Sequence, residues 1–303
     1  MKLWERYIKQ FISYLKIERG LAENSVLAYQ RDIRHLSDFA VARGLDPGEM
    51  KIEDLQNFVA GLYDLGLSER SQARTISGLR QFFDFLILED YIKEDPSELL
   101  EMPRIGRKLP EVLDVEEIDA LIAAIDLSKP EGHRNKAMLE TLYSCGLRVS
   151  ELIGLKFSDL YFDEGFIRVL GKGNKQRLVP VSEQVEKEIS QYRDQIRCHL
   201  DIKPGHENIV FLNRRGAQLT RVMIFTIIKN LAKSINLKKN ISPHTFRHSF
   251  ATHLIEGGAN LRAIQEMLGH ESITTTEIYT HLDQRYLQEA ILSYHPRNRA
   301  YNR

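Results

Sequence analysis

The chain has 303 residues, 43% hydrophobic and 28% charged, which is ordinary globular composition with length for about two domains and excludes a short peptide or a disordered tail. No apolar run approaches the roughly 20 residues needed to cross a bilayer, and the opening Met1-Lys2-Leu3-Trp4-Glu5-Arg6 is charged where a secretory signal has its apolar core, so a soluble cytoplasmic protein without a membrane partner is expected. Forty-two Lys and Arg balance forty-two Asp and Glu, and that neutral total by itself argues against a nucleic-acid partner.

Four helices are expected in the first hundred residues. Leu3, Tyr7, Phe11 and Tyr14/Leu15 recur at helical spacing; Val26, Tyr29, Ile33, Leu36 and Phe39/Ala40 form a second stripe ending at Gly44; Leu55, Phe58/Val59 and Leu62 form a third. Ser68 opens the fourth as its N-cap, and the stripe runs through Ile76, Leu79, Phe82/Phe83 and Leu86 to about Tyr91. Residues 1–94 then form a helical N-terminal domain. The stretch 95–110, with Pro96, Pro103, Arg104, Gly106, Arg107, Lys108 and Pro110, lacks a helical stripe and is expected to be the linker to a second domain, 111–303.

In that domain, helices from about Val115 to Ile125 and from about Arg134 to Cys145 precede a turn at Gly146. Residues 166–170 and 177–181 are β-rich runs around the Gly-rich turn 171–175, a hairpin signal. Helices resume to the chain end; Ser242-Pro243 opens one, Gly257-Gly258 closes it, and Gly269 closes the next. The expected fold is mainly α with a small β-sheet in the second domain. The cysteines, Cys145 and Cys198, form no CxxC pair and read as small core residues.

The distribution of charge points the opposite way from its total. Between Glu207 and Glu256 there is no acidic residue, yet Arg214, Arg215, Arg221, Lys229, Lys233, Lys238, Lys239 and Arg247 all fall there. A polyphosphate responds to such a local field within a Debye length of roughly 8 Å. The alternative is a solvated surface whose acidic partners come from elsewhere in the chain.

The helix opening at Pro243 puts His244 and Arg247 on one face, while Phe246, Phe250 and Leu254 follow the core. His270 follows Gly269, and Tyr279 comes nine residues later. Together with Gly146-Leu147-Arg148-Val149-Ser150-Glu151-Leu152 and Gly171-Lys172-Gly173, these segments resemble the tyrosine recombinase (phage integrase) family, over nearly the whole chain and most closely its bacterial chromosome-dimer recombinases. The resemblance implies a two-domain clamp around double-stranded DNA and a strand transferase needing no cofactor and no metal. Chromosome-dimer resolution is the expected role, with a mobile-element integrase as the alternative. Tyr279 is then the nucleophile that conserves phosphodiester energy in a covalent link. Arg148 and Arg247 bind the non-bridging phosphate oxygens through paired hydrogen bonds, His270 and His244 assist with hydrogen bonding and proton movement, and Lys172 is the general acid. Glu151, one turn after Arg148, is expected to orient the site, or else to face solvent.

The same resemblance implies a tetramer on DNA, of this chain alone or with a paralogous recombinase, and leaves open control by a DNA translocase of the division machinery. The apolar stripe of Leu282, Tyr286, Leu287, Ala290 and Ile291 is expected to dock on a neighbouring protomer, with packing in cis as the alternative. Arg31, Arg34, Arg74 and Arg80, read as exposed on the second and fourth helices, are candidate DNA contacts. Two other readings compete. His244 and His248 have the i, i+4 spacing of metal ligands, but no Glu follows the first His and Arg247 would set a positive charge beside the ion. The turn at Gly257-Gly258-Ala259-Asn260 could belong to the helix-turn-helix of a non-enzymatic regulator, which leaves Arg148, Lys172 and Tyr279 unexplained.

Overall fold

The computed structural model describes residues 2–106, 111–171, 175–269 and 281–299. Lys172, His270 and Tyr279 lie outside them. Contacts divide the chain into two compact units, Met1–Lys108 and Leu109–Arg303.

The first unit is built from α1 (Lys2–Ile17), α2 (Glu23–Val41), α3 (Ile52–Asp64) and α4 (Glu69–Leu88). Ser68 caps α4 as expected, its hydroxyl accepting from the Ser71 N–H, a device worth about 1 kcal/mol. The stripes of α2, α3 and α4 are buried where the periodicity puts them, but α1 is rotated by about one residue: Trp4, Ile8, Phe11 and Leu15 form its buried face, while Leu3, Tyr7 and Tyr14 are half-buried at its margins. The cause is an aromatic cluster in which Trp4 and Phe11 meet Phe82 at ring distances of 5.9 and 5.3 Å, with the Trp4 indole N–H donating to the Leu45 carbonyl at 3.0 Å. An indole gains both its area and its hydrogen bond in that rotation. Ser97 and Leu100, inside the expected linker, are buried with this core.

In the second unit, α5 (Val115–Ala123) leads into α6 (Pro130–Ser144), which starts a turn earlier than expected because Pro130 serves as a first-turn proline. From Ala137 to Ser144 every residue of α6 is buried, the mark of a helix covered on all sides. The short α7 (Val149–Ile153) follows, then a three-stranded antiparallel sheet of β1 (Leu160–Tyr161), β2 (Phe166–Leu170) and β3 (Gln176–Pro180). The β2–β3 register pairs Phe166 with Pro180 and Leu170 with Gln176, which realises the expected hairpin; β1, two residues long, is an addition. After α8 (Glu183–Gln195) and α9 (Arg221–Ser234) come α10 (Pro243–Gly257) and α11 (Leu261–Leu268), each ended by a left-handed glycine, Gly258 and Gly269, at the predicted places.

The tail forms α12 (His281–Tyr294) and α13 (Pro296–Arg299). Here the trans-docking expectation is corrected. Leu287, Ala290 and Ile291 are buried in their own chain, where α12 packs on α10, α11 and β3. His295 is also fully buried, between Tyr143 and Phe250, and Arg297 pairs with Glu140 and Asp119. The apolar stripe finds a complementary groove in cis, and the ion pairs fasten its end. Cys145 is buried as expected, but Cys198 is exposed, its thiol donating to the Asp194 carbonyl at 2.8 Å. Among the described residues no helix is long and apolar enough to cross a membrane.

Candidate active site

Two chain reversals prepare the site. Gly146 has φ +57°, and a Cβ there would stand 2.4 Å from the Phe250 ring, so only glycine allows both the turn and the approach of α10. Arg148 then occupies the N-cap position of α7 in extended conformation, and its backbone N–H donates to Glu151 Oε2 at 2.7 Å. The second reversal is Gly269, left-handed at φ +65°, which turns the chain out of α11 and leaves that helix's last carbonyls facing the first reversal.

Three guanidiniums take those carbonyls in succession. Arg177 Nε donates to Met267 O at 2.7 Å, Arg247 Nη2 donates to Leu268 O, and Arg148 Nη2 donates to Gly269 O at 3.3 Å. Arg247 Nη1 reaches back to Gly146 O at 2.8 Å. Positive groups at the carbonyl end of a helix are favoured by its dipole as well as by the hydrogen bonds.

Glu151 lies at the centre. It accepts from Arg148 Nη1 at 2.9 Å and from Arg177 Nη1 and Nη2 at 2.8 Å each, while Arg247 Nη1 stands 3.9 Å from Oε2. With the Arg148 N–H this makes four accepted hydrogen bonds, as many as a carboxylate has lone-pair positions. Burial alone would raise the Glu151 pKa; hydrogen bonding to and attraction by Arg177, then Arg148, outweigh that and hold it below the ordinary value. The solvent-facing alternative for Glu151 is thereby set aside, since its side chain is 1% exposed. Arg247 is pushed down to about 10, first by burial and then by the positive charge of Arg148, against the opposing pull of Glu151.

Three guanidiniums around one carboxylate leave an excess of positive charge under a partly open surface. Arg148 is the most accessible of them, with 31% of its side chain exposed against 11% for Arg247 and 6% for Arg177. Such a cluster suits an anion that can take planar, paired hydrogen bonds, as a phosphate does.

Of the residues singled out from sequence, the structure thus brings together Arg148, Arg247 and Glu151. His244 sits in the first turn of α10 with an exposed side chain and, among the described residues, makes no hydrogen bond to this cluster. His253, three turns along α10, hydrogen-bonds Tyr143 Oη through Nδ1 at 2.8 Å and is part of the core. Arg177 was missed. Its signal was available: in β3 it shares the inward face with Val179, and an arginine at a core-facing strand position requires a partner.

The other basic residues separate by environment. Arg31 and Arg34 are exposed as expected, but Arg74 and Arg80 are half-buried, which corrects their reading as exposed. Arg74 pairs with the buried Asp32 and Arg80 Nη2 donates to the Leu100 carbonyl at 2.7 Å, because buried acceptors draw long cations inward. In the acid-free segment Arg214, Arg215, Arg221, Lys233 and Lys238 are exposed, whereas Lys239 is held by Glu117 at 2.6 Å and Asp114 at 3.5 Å.

Comparison with known proteins extends this geometry. The phage integrase family model matches residues 111–285, and the model of the phage integrase N-terminal SAM-like domain matches residues 8–90. A tyrosine recombinase XerD of Listeria monocytogenes is 41% identical over 292 residues, 96% of this chain and 98% of the relative. One from Chlorobaculum tepidum is 42% identical over 297 residues, 97% of each chain. Among solved structures, XerH site-specific recombinase bound to difH substrate in a pre-cleavage complex aligns with a TM-score of 0.65 at 26% identity, over 93% of this chain and 83% of that one.

Proposed function

The chain belongs to the phage integrase family of tyrosine recombinases and is a site-specific recombinase, and on that premise we propose that it cuts and rejoins double-stranded DNA through a 3′-phosphotyrosyl intermediate, resolving chromosome dimers. The observation that carries the proposal is the convergence of Arg148 and Arg247 on Glu151 beneath an open, positively charged surface. In the proposed reaction the Tyr279 hydroxyl gives up its proton, with His244 assisting, as it attacks the scissile phosphorus; the bond to the 5′ oxygen breaks, and Lys172 delivers a proton of its own to that leaving oxygen. The 5′ hydroxyl of another strand then attacks the phosphotyrosine, releasing Tyr279 and returning the proton. Bond energy is kept throughout, so neither nucleotide nor metal is needed.

The two guanidiniums stabilise the charge that grows on the non-bridging oxygens. Because Glu151 and the helix carbonyls already hold them, little reorganisation is required when the phosphate arrives. His270 and His244 supply a further hydrogen bond to the phosphate and assist proton movement at the tyrosine. In the working complex four protomers assemble on two DNA sites, with a paralogous recombinase or with further copies of this chain, and a DNA translocase of the division machinery governs the timing. Residues 1–94 and 111–303, joined through 95–110, both contribute to DNA binding, with the exposed Arg31 and Arg34 toward the DNA backbone or groove, whereas Arg74 and Arg80 are held by Asp32 and the Leu100 carbonyl. The identity of 41–42% to XerD relatives over nearly the full chain favours the chromosomal role over that of a mobile-element integrase.

The test is a nicked suicide substrate resolved on a denaturing gel. Wild-type protein is expected to form a covalent adduct that survives EDTA, and Tyr279→Phe to bind the same DNA without forming one. An adduct with Tyr279→Phe would place the nucleophile elsewhere.

A further inference from the structure

We propose that Arg177 is a positioning residue for strand cleavage: by taking two of the four hydrogen bonds that Glu151 accepts, it limits the carboxylate to one prong of Arg148 and keeps Arg247 off it, so that both guanidiniums can turn donors to the scissile phosphate. This rests on the recombinase reading given above and assigns the one arginine of the cluster that it does not use.

Arg177 is the deepest of the three, 6% exposed, with all three of its nitrogens engaged: Nε on Met267 O and both Nη atoms on Glu151. It has neither access nor a spare fork for a substrate. What it controls is Glu151. A buried carboxylate takes the best fork available; Arg148 Nη1 already donates to Oε1 at 2.9 Å, and Arg247 Nη1 lies 3.9 Å from Oε2. Without Arg177, Arg247 would be drawn onto Glu151, and Arg148 further onto it, filling the two vacated lone-pair positions and turning both away from solvent. Arg177 also packs under the second reversal, since a Cβ on Gly269 would stand 3.1 Å from its Cδ. It therefore ties β3, α7 and the end of α11 together at the point where the other two arginines bind successive carbonyls.

The experiment is single-turnover cleavage of a suicide substrate by the full-length protein at saturating concentration, reading rate and final adduct yield separately. Arg177→Lys keeps the charge but cannot supply the fork and the carbonyl bond together. It is expected to cleave about 10- to 100-fold more slowly, the scale of a small misplacement of reacting groups, with adduct yield and half-site affinity within about twofold of wild type. In a Glu151→Gln background the same substitution should change the rate by no more than about twofold, because the partner through which it acts is gone. Should Arg177→Lys alone fail to fold, Glu151→Gln/Arg177→Gln, which removes both buried charges together, is compared with Glu151→Gln: rates within about twofold are expected, and a further loss of about 10-fold would overturn the proposal.

Cleavage by Arg177→Lys at the wild-type rate would overturn the proposal. So would a reduced yield at unchanged rate, which is the mark of a purely structural residue, or equal losses in the two backgrounds. A wild-type protein that forms no adduct would instead sink the recombinase reading, and this proposal with it.

Discussion

Leu287→Ala tests whether the C-terminal helix belongs to its own chain. Leu287 is 1% exposed, on the face of α12 that packs against α10, α11 and β3. Truncating a buried leucine to alanine costs about 2–5 kcal/mol through lost transfer free energy plus the cavity left behind. For a unit of roughly 200 residues each kcal/mol moves the melting temperature by about 2–4 °C, so a mid-range loss of about 3 kcal/mol lowers Tm by about 6–12 °C. The control lies on the same helix: Leu292 is 58% exposed, and Leu292→Ala should cost under about 0.5 kcal/mol. Scanning calorimetry of the DNA-free, full-length protein reads the effect. Fluorescence of Trp4, the chain's single tryptophan, reports the first unit and lets the shifted transition be assigned to the second. Packing in cis also makes the shift independent of protein concentration, whereas docking between protomers makes it concentration-dependent. A Tm for Leu287→Ala within about 2 °C of wild type would refute cis burial, since even the smallest expected loss exceeds that.

Arg148→Ala and Arg247→Ala should each slow adduct formation about 100-fold or more, some 3 kcal/mol of transition-state stabilisation, in the same suicide-substrate assay; near-normal rates would remove them from the phosphate. Gly146→Ala must strain a φ of +57° and displace the Phe250 ring, so a stability loss of about 1–3 kcal/mol and slower cleavage are expected by denaturant titration and single-turnover kinetics. Burial, then the positive charges of Arg297 and His253, hold His295 down at about 3. An unfolded histidine titrates near 6.5, so the unfolded state binds the extra proton first, and this contribution is intact above about pH 6.5 and lost as pH falls toward 3. His295→Leu should therefore show a smaller drop in Tm between pH 7 and pH 5 than wild type, and an identical drop would mean that the acid sensitivity comes from other groups.

Much of this protein was legible from local sequence. Helical periodicity and capping depend on residues only a few positions apart, so Ser68, Pro243, Gly258 and Gly269 mark real boundaries, and the β-rich runs around 171–175 make a real hairpin. Of the six residues that the family resemblance singles out, the structure brings Arg148 and Arg247 together, leaves His244 exposed, and does not describe Lys172, His270 and Tyr279. Tertiary structure decided what depends on partners far apart in the chain. The rotation of α1 follows from Trp4 meeting Phe82 and Leu45, and the inward pull on Arg74 and Arg80 from Asp32 and the Leu100 carbonyl. The cis seating of α12 needs a groove formed by three other elements. The alternation of β3 could have flagged Arg177 as inward-facing, but not its partners: the carboxylate lies 26 residues away and the carbonyl 90, and only the folded chain makes neighbours of them. Periodicity reports which face of an element is apolar, but a buried charge is stabilised by a specific counter-group, and that pairing exists only once distant segments have met.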